Sequence, residues 1–302
     1  MNNNHRSQNP TARNYPMVSE FVPTHWQAGT VVAEDNTSLH YTRTGGDKPR
    51  LVLLHGVQVS SLSWTRTAQA LEAAYDVVMP DFRGHGRSGR IEGDVSAKTL
   101  VDDIIVVINA LELESPFVIG HSMGADIAGR LAAVYPLRAV VLVDPALQHF
   151  PAAALMDTDA PPVWMQGLLD TLQSLKILPH AERMLAGLRL LPPGHTIDNP
   201  VDYVCFVEGQ AQFDTNFFRS MHKIGYLFED TDTIRQNTCP MLLLTARPTM
   251  PGANIEAGVA AFTQNWNGSR HIHFDDSGHA IMFDQFERFV EVVTDFLETV
   301  GQ

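Results

Sequence analysis

The sequence predicts a protein of the α/β class, in which a mostly parallel sheet is covered by helices on both faces and carries an all-helical insertion. Strand-like and helix-like runs alternate along most of the 302 residues, which is typical of such a sheet. The later strands are near-continuous apolar runs, such as Val-Val-Leu-Val at 140–143, as strands buried on both faces require. Residues 146–238 interrupt this alternation, because they hold helical patterns separated by proline-rich breaks and no convincing strand.

Eight segments are predicted to be strands, because each combines aliphatic or β-branched residues with turn-forming residues at its ends. The predicted strands span residues 25–33, 39–44, 50–54, 75–79, 116–119, 139–143, 241–245 and 270–274.

Helical periodicity separates these strands and fills the insertion. Helices are predicted near 61–74, 96–112, 123–135, 254–266 and 284–299, and amphipathic pieces of the insertion at 164–175, 180–191 and 215–228. We therefore divide the chain into a flexible polar tail at 1–24, a sheet domain formed by 25–145 and 239–302, and a helical cap at 146–238.

The composition of the chain limits the kinds of binding partner and the cellular setting that we expect. The net charge of −13 argues against nucleic acid or an anionic membrane, and no apolar run approaches the roughly 18 residues of a membrane span. The first residues lack the apolar core of a signal peptide, and Cys205 and Cys239 are too few for a disulfide framework. We therefore expect a reduced, cytoplasmic setting and leave a homodimer open.

No cofactor or metal is expected. The glycine pattern at 84–89 follows a strand but does not open directly into a helix, as a dinucleotide site would require. His271 and His273 have metal-like spacing on a strand, yet no cluster of carboxylates or thiolates accompanies them.

Residues 120–124 read Gly-His-Ser-Met-Gly, between the apolar strand Pro-Phe-Val-Ile at 116–119 and a helical run at 125–135. This is the pattern of a nucleophile elbow, in which a strand turns so sharply into a helix that the serine hydroxyl is exposed at the apex. Glycine flanks the serine at both 120 and 124 because larger residues would collide in that turn.

Three further motifs accompany the elbow, in a fixed order. Leu-Leu-His-Gly-Val at 53–57 follows the third strand, Asp-Phe-Arg-Gly-His-Gly-Arg-Ser at 81–88 follows the fourth, and Asp-Asp-Ser-Gly-His at 275–279 follows the last. With these motifs in this order the chain resembles the α/β-hydrolase family over nearly all of its length. The resemblance implies the family's eight-stranded sheet, with the helical cap inserted between strands 6 and 7.

The resemblance also assigns roles to particular residues. Ser122 would be the nucleophile, and His279, in the loop after the final strand, would be the base that takes its proton. The backbone N–H groups of Val57 and Met123 would stabilise the oxyanion. The other twelve histidines are interpreted as ordinary surface or core residues.

The third member of the triad is less certain from the sequence. Most family members carry an aspartate shortly after the seventh strand, but residues 242–252 contain no carboxylate, and Glu256 comes next. Asp144, at the end of the sixth strand, resembles the acid of other branches, including certain dehalogenases and the zearalenone lactonases. We favour Asp144, with Glu256 as the alternative and a Ser-His dyad as the third.

A serine at the elbow indicates acyl transfer, since dehalogenases and epoxide hydrolases of this fold need a carboxylate there. We expect hydrolysis of a carboxylic ester or lactone through an acyl-enzyme, and a macrocyclic lactone such as zearalenone is one candidate for the substrate. The alternatives are a C–C bond hydrolase or acyltransferase on the same triad, and a non-catalytic ligand receptor of the same fold. Large apolar side chains of the cap predict a lipophilic substrate, which the following are expected to bind: Trp164, Phe206, Phe213, Phe217 and Phe218.

Overall fold

The computed structural model describes residues 15–147, 163–191, 197–248 and 255–301, without the side chains of residues 163 and 164. Within these ranges the eight predicted strands are present. They are β1 Gln27–Val32, β2 Ser38–Arg43, β3 Arg50–Leu54, β4 Asp76–Pro80, β5 Phe117–His121, β6 Ala139–Val143, β7 Met241–Ala246 and β8 Ser269–Phe274.

The strands form one sheet in the order β1-β2-β4-β3-β5-β6-β7-β8. β1 pairs antiparallel with β2 and β2 antiparallel with β4, whereas every pair from β4 to β8 is parallel. The prediction of a mostly parallel eight-stranded sheet is therefore confirmed. Because parallel strands end at the same edge, the loops after β3, β5, β6, β7 and β8 meet there.

The helices occur between the strands and in the insertion. They are α1 Thr65–Leu71, α2 Ala97–Ala110, α3 Met123–Val134, α4 Val163–Ile177, α5 His180–Gly187, α6 Pro200–Gln212, α7 Met221–Ile224, α8 Thr231–Arg235, α9 Glu256–Asn265, α10 Ile281–Asp284 and α11 Phe286–Gly301. None of the helices that the structure describes is long and apolar enough to cross a membrane.

Three helical predictions differ from the structure, and one of them is the piece expected at 180–191, where α5 is followed by a 3-10 helix at Leu188–Leu190. The piece expected at 215–228 is a 3-10 helix at Thr215–Ser220, then α7, then a second 3-10 helix at Leu227–Glu229. It is broken at Gly225, whose φ of 65° and ψ of −170° lie outside any helix and suit glycine alone. The helix expected at 61–74 is likewise divided, into a 3-10 helix at Ser61–Trp64 and α1.

The sheet has a separate apolar core on each face. In β3, Val52 and Leu54 face the side covered by α2 and α3, whereas Leu51 and Leu53 face the side covered by α11. All four side chains are fully buried. This alternation follows from the two-residue period of a strand and explains why the central strands contain hardly any polar residues.

Helix α6 fixes the insertion to the sheet domain. A Cβ at Gly209 would lie 2.9 Å from the backbone N of Ser60 and 3.1 Å from Cα of Val59, so the α6 backbone lies directly on the loop after β3. Asp202 of the same helix accepts a hydrogen bond of 2.9 Å from Arg66 of α1. Helix α6 of the predicted cap therefore packs on the sheet domain at close range.

Residues 15–24, which we predicted to belong to the flexible tail, instead contact this insertion. The ring of Tyr15 lies 5.2 Å from that of Tyr203, and His180 hydrogen bonds to the backbone carbonyls of Tyr15 and Pro16. Tyr15, Val18 and Phe21 pack against the apolar cluster of α4, α5 and α6. Residues 1–14 of the predicted tail lie outside the described part of the chain.

Candidate active site

Ser122 lies at the sharp junction of β5 and α3. Its φ of 53° and ψ of −120° are unusual for a residue with a side chain, and such a conformation costs on the order of 1–3 kcal/mol. The turn is crowded, because a Cβ at Gly120 would lie 2.1 Å from the carbonyl oxygen of Gly124. The tight turn leaves Ser122 only partly buried between two fully packed elements.

His279 and Asp144 lie in direct contact beside this turn. The distance from His279 Nδ1 to Asp144 Oδ2 is 2.7 Å. The second oxygen, Oδ1, accepts a hydrogen bond of 3.0 Å from the backbone N–H of Ala246 at the end of β7. Both carboxylate oxygens are thus held, and the aspartate that follows β6 is oriented toward the imidazole. Glu256, the alternative acid, is the first residue of α9.

The loop that carries His279 is pinned by groups from neighbouring elements. The backbone N–H of Arg247, just after β7, donates to the carbonyl of Ser277 over 3.1 Å. Asp284 of α10 accepts from the backbone N–H of Gly278 over 2.7 Å. These bonds fix the two loop residues that directly precede the histidine.

His121, the last residue of β5, also contacts this loop, and sequence reasoning did not single it out. Its Nε2 lies 3.0 Å from the backbone carbonyl oxygen of His279, and the two rings are 4.7 Å apart between centroids. A histidine immediately before the elbow serine was the only signal for it in the sequence.

The two backbone N–H groups predicted to stabilise an oxyanion come from two different elements, the start of α3 and the loop after β3. Met123 begins α3, where the N–H groups have no partner within the helix. Val57 follows Gly56, whose carbonyl accepts a 2.7 Å bond from Nδ1 of the buried His55, while Nε2 of that ring accepts from the N–H of Phe82 over 3.1 Å. Because a peptide group is planar, holding the Gly56 carbonyl also fixes the direction of the Val57 N–H.

His55 Nε2 accepts a hydrogen bond and Nδ1 donates one, so the ring is neutral in this arrangement. Burial lowers the pKa of His55 and so favours this neutral form.

The predicted substrate-binding aromatics are not brought together as one surface. Phe213, Phe217 and Phe218 are buried in the apolar cluster that includes Met123, and the rings of Phe213 and Phe217 pack on His85 at 4.8 and 4.7 Å. Phe206 instead packs against the separate cluster of α4, α5 and α6. The side chain of Trp164 lies outside the described part of the chain.

A cavity of about 490 Å³ lies away from Ser122, between the segment 17–28 and the end of α6. Its described lining includes His40 and Asp81, whose Nδ1 and Oδ2 atoms are hydrogen bonded at 3.0 Å, and none of Ser122, Asp144 and His279. Within the described residues, no group of three or more histidine, cysteine, aspartate or glutamate side chains is arranged to hold a metal ion.

Asp126, one helical turn after Ser122, is buried in α3 and has an unusually high pKa. Desolvation raises its pKa to about 7, against the opposing effects of Arg130 and of a hydrogen bond from the backbone N–H of Leu227. Its Oδ1 has no hydrogen-bond partner among the residues that the structure describes. The folded protein therefore retains a proton here at pH values at which the unfolded chain has lost it.

This difference predicts that stability falls as the pH rises from about 4 to 7, because the unfolded chain binds fewer protons in that window. Replacing Asp126 by asparagine removes this contribution. The free energy of unfolding of the variant, relative to wild type, is expected to increase across the window by up to about 1.4 kcal/mol per pH unit and to level off above pH 7. Urea unfolding at several pH values measures the slope. The surface variant Asp170→Asn serves as control, and equal slopes for the two variants would contradict the prediction.

Comparison with known proteins finds likeness to proteins of the α/β-hydrolase fold. Residues 49–192 match the sequence profile of the family described by the α/β-hydrolase fold. A segment of 109 residues is 37% identical to the magnesium-chelatase 30 kDa subunit of Rhodobacter capsulatus, over 36% of this chain and 38% of that protein. A segment of 121 residues is 36% identical to N-formylmaleamate deformylase of Pseudomonas putida, over 39% of this chain and 45% of that protein. The matched segments thus cover less than half of these relatives' lengths.

The solved structures extend the likeness to nearly the whole chain. A putative aryl esterase from Burkholderia cenocepacia superposes with a TM-score of 0.71 at 20% sequence identity, over 91% of this chain and 99% of that structure. At this identity the likeness shows the fold. Together with the matched profile and the eight-stranded sheet, it shows that the chain has the α/β-hydrolase fold.

Proposed function

We propose that this protein hydrolyses carboxylic esters or lactones, with Ser122 as nucleophile, His279 as general base and Asp144 as the acid of the triad. The observation that carries the proposal is the 2.7 Å contact between His279 Nδ1 and Asp144 Oδ2. An ionised carboxylate only accepts hydrogen bonds, so Nδ1 carries the proton and Nε2 has the free lone pair. That nitrogen is the one a serine hydroxyl would use.

The reaction follows from these roles. Ser122 Oγ forms a bond to the carbonyl carbon as its proton passes to Nε2 of His279, and the carbonyl oxygen becomes an oxyanion. The N–H groups of Met123 and Val57 stabilise that oxyanion. The tetrahedral species then expels the alcohol oxygen, which takes the proton from His279 and leaves an acyl-enzyme. Water, deprotonated by His279, attacks the acyl carbon, and Ser122 recovers its proton as the acid is released.

The carboxylate of Asp144 remains ionised throughout and stabilises the imidazolium that forms in each half of the reaction. Its low exposure, 13% of the side chain, strengthens this interaction, because water screens the charges only weakly there.

Labelling with a fluorophosphonate probe tests the proposal directly. Wild type is expected to gain one phosphonyl group, located on Ser122 by peptide mass spectrometry, while Ser122→Ala gains none. Ser174→Ala, which changes a half-buried serine of α4, is the matched control and is expected to label like wild type. Absence of labelling, or equal labelling rates in wild type and His279→Ala, would overturn the proposal. Either result would favour the alternative of a non-catalytic ligand receptor of the same fold.

The acyl group is best defined by turnover. We propose that the substrate is lipophilic. To test this preference, kcat/KM is measured for p-nitrophenyl esters from acetate to decanoate, for aryl lactones and for zearalenone. Phe213 and Phe217 pack on His85. The acyl chain length with the highest kcat/KM therefore indicates how long an acyl chain the site accommodates beside these rings.

A further inference from the structure

We propose that His121 is a positioning residue that holds the backbone of His279 at the elbow through its Nε2–H group. This inference rests on the proposed function, because it assigns His121 a role in aligning the base with Ser122. His121 was interpreted from the sequence as an ordinary histidine, and it touches neither Ser122 Oγ nor a substrate in the scheme above.

The direction of the hydrogen bond follows from its partner. A backbone carbonyl can only accept, so the 3.0 Å contact between His121 Nε2 and the carbonyl oxygen of His279 requires the proton on Nε2. The other nitrogen, Nδ1, is buried and has no hydrogen-bond partner among the described residues. The neutral Nε2–H tautomer is therefore the form that this site selects.

Burial keeps the ring neutral. Desolvation, with the nearby rings of His279 and His55, lowers the pKa of His121 to about 3. A neutral ring 4.7 Å from His279 adds no like charge when His279 becomes an imidazolium, whereas a charged one would oppose it. The same contact thus anchors the base without raising the energy of its charged form.

The ring has little freedom to adopt another orientation. Trp64 packs against it edge to face at 6.5 Å. On another side lies Gly56, where a Cβ would come 3.0 Å from His121 Nδ1 and 3.3 Å from Cβ of Ser122. The glycine of the His-Gly motif therefore makes room for both the serine and this histidine.

His279 is consequently held at two points by residues next to the elbow. Asp144 binds its ring, and His121 binds its backbone carbonyl. In the sheet, His121 and Val143 are register partners on β5 and β6, so the two anchors come from adjacent strand ends. One anchor alone would leave the ring free to pivot, and small displacements of a catalytic group cost large factors in rate.

The test separates the hydrogen bond from the packing of the ring. His121→Phe keeps an aromatic ring but has no N–H donor, whereas His121→Gln places an amide N–H near the position of Nε2. We expect kcat for a p-nitrophenyl ester to fall about ten-fold in His121→Phe, with KM within about two-fold of wild type, since positioning affects the transition state rather than substrate binding. His121→Gln is expected to recover most of kcat. The rate of fluorophosphonate labelling should follow the same order.

Controls make the outcomes distinguishable. His25→Phe and His25→Gln change a histidine whose side chain is 60% exposed, beside β1 at the far edge of the sheet, and are expected to match wild type. Wild-type kcat in His121→Phe, equal losses in the Phe and Gln variants, or a loss confined to KM would overturn the inference. If His121→Phe fails to fold, His121→Asn replaces it, because its shorter amide cannot span the distance and should lose kcat equally. Activity or labelling retained by Ser122→Ala would instead overturn the proposed function.

Discussion

Replacing Asp144 by asparagine is expected to lower kcat/KM for ester hydrolysis by about a thousand- to ten-thousand-fold, the effect of the same change in other serine triads. The structure gives a specific reason. The backbone N–H of Ala246 donates to Oδ1 of Asp144, so an asparagine must keep its oxygen there and turn its NH₂ group toward His279. His279 Nδ1 would then accept a hydrogen bond, and the ring proton would move to Nε2, the atom needed to receive the proton of Ser122.

The matched variant is Glu256→Gln, which changes the other candidate carboxylate by the same single atom. It is expected to keep kcat/KM within about three-fold of wild type, because surface substitutions outside a site have small effects. The measurement is hydrolysis of a p-nitrophenyl ester, with thermal unfolding to verify that both variants are folded. A large loss in Glu256→Gln alone would assign the acid to α9, and no loss in either would indicate a Ser-His dyad.

The sequence could predict the sheet and the elbow because their signals are local. Strands buried on both faces leave continuous apolar runs, and the glycines around Ser122 record the crowding of one turn. The order of four motifs then placed Ser122 and His279 on the same edge of the sheet. Each of these inferences needs only neighbouring residues and the rule that parallel strands end together.

Choosing Asp144 as the proposed acid of the triad depends on knowing which strands are neighbours in the sheet. Asp144 is held by the N–H of Ala246 and donates its own N–H to the carbonyl of Leu244 over 2.8 Å, both at the end of β7. These contacts join residues about a hundred positions apart, and no periodicity in the sequence records them. The sequence alone therefore does not distinguish Asp144 from the alternatives for the acid.

The sequence could not predict the contacts of His121 and of the cap aromatics, for a similar reason. An isolated histidine has the same sequence signature whether its ring faces solvent, core or a loop from another strand. Phe213 and Phe217 are predicted to bind substrate because they are large and apolar, but the sequence does not indicate what covers such side chains, and the structure places His85 against both rings. The break at Gly225 also depends on a positive φ, which glycine permits but does not require.

Gly124→Ala is expected to destabilise the protein by about 4 kcal/mol or more, in the range reserved for severe steric damage. A Cβ at this position would lie 2.3 Å from the carbonyl oxygen of Leu54 and 2.6 Å from that of His55. Both obstacles are backbone atoms, so neither can rotate away, and α3 would have to move off the end of β3. Urea unfolding measures the loss. The control is Gly167→Ala on α4, where no atom lies within 4 Å of the new Cβ and alanine should stabilise the helix by up to about 1 kcal/mol.

The same contact links stability to the proposed chemistry. Gly124 lies one residue after Met123, and Leu54 and His55 lead directly into Gly56 and Val57. The missing side chain therefore lets the two proposed oxyanion donors approach each other from α3 and from β3. Any Gly124→Ala protein that remains folded should lose kcat, because separating these N–H groups weakens stabilisation that arises only in the transition state. A folded variant with wild-type kcat would show that at least one of the two N–H groups does not bind the oxyanion.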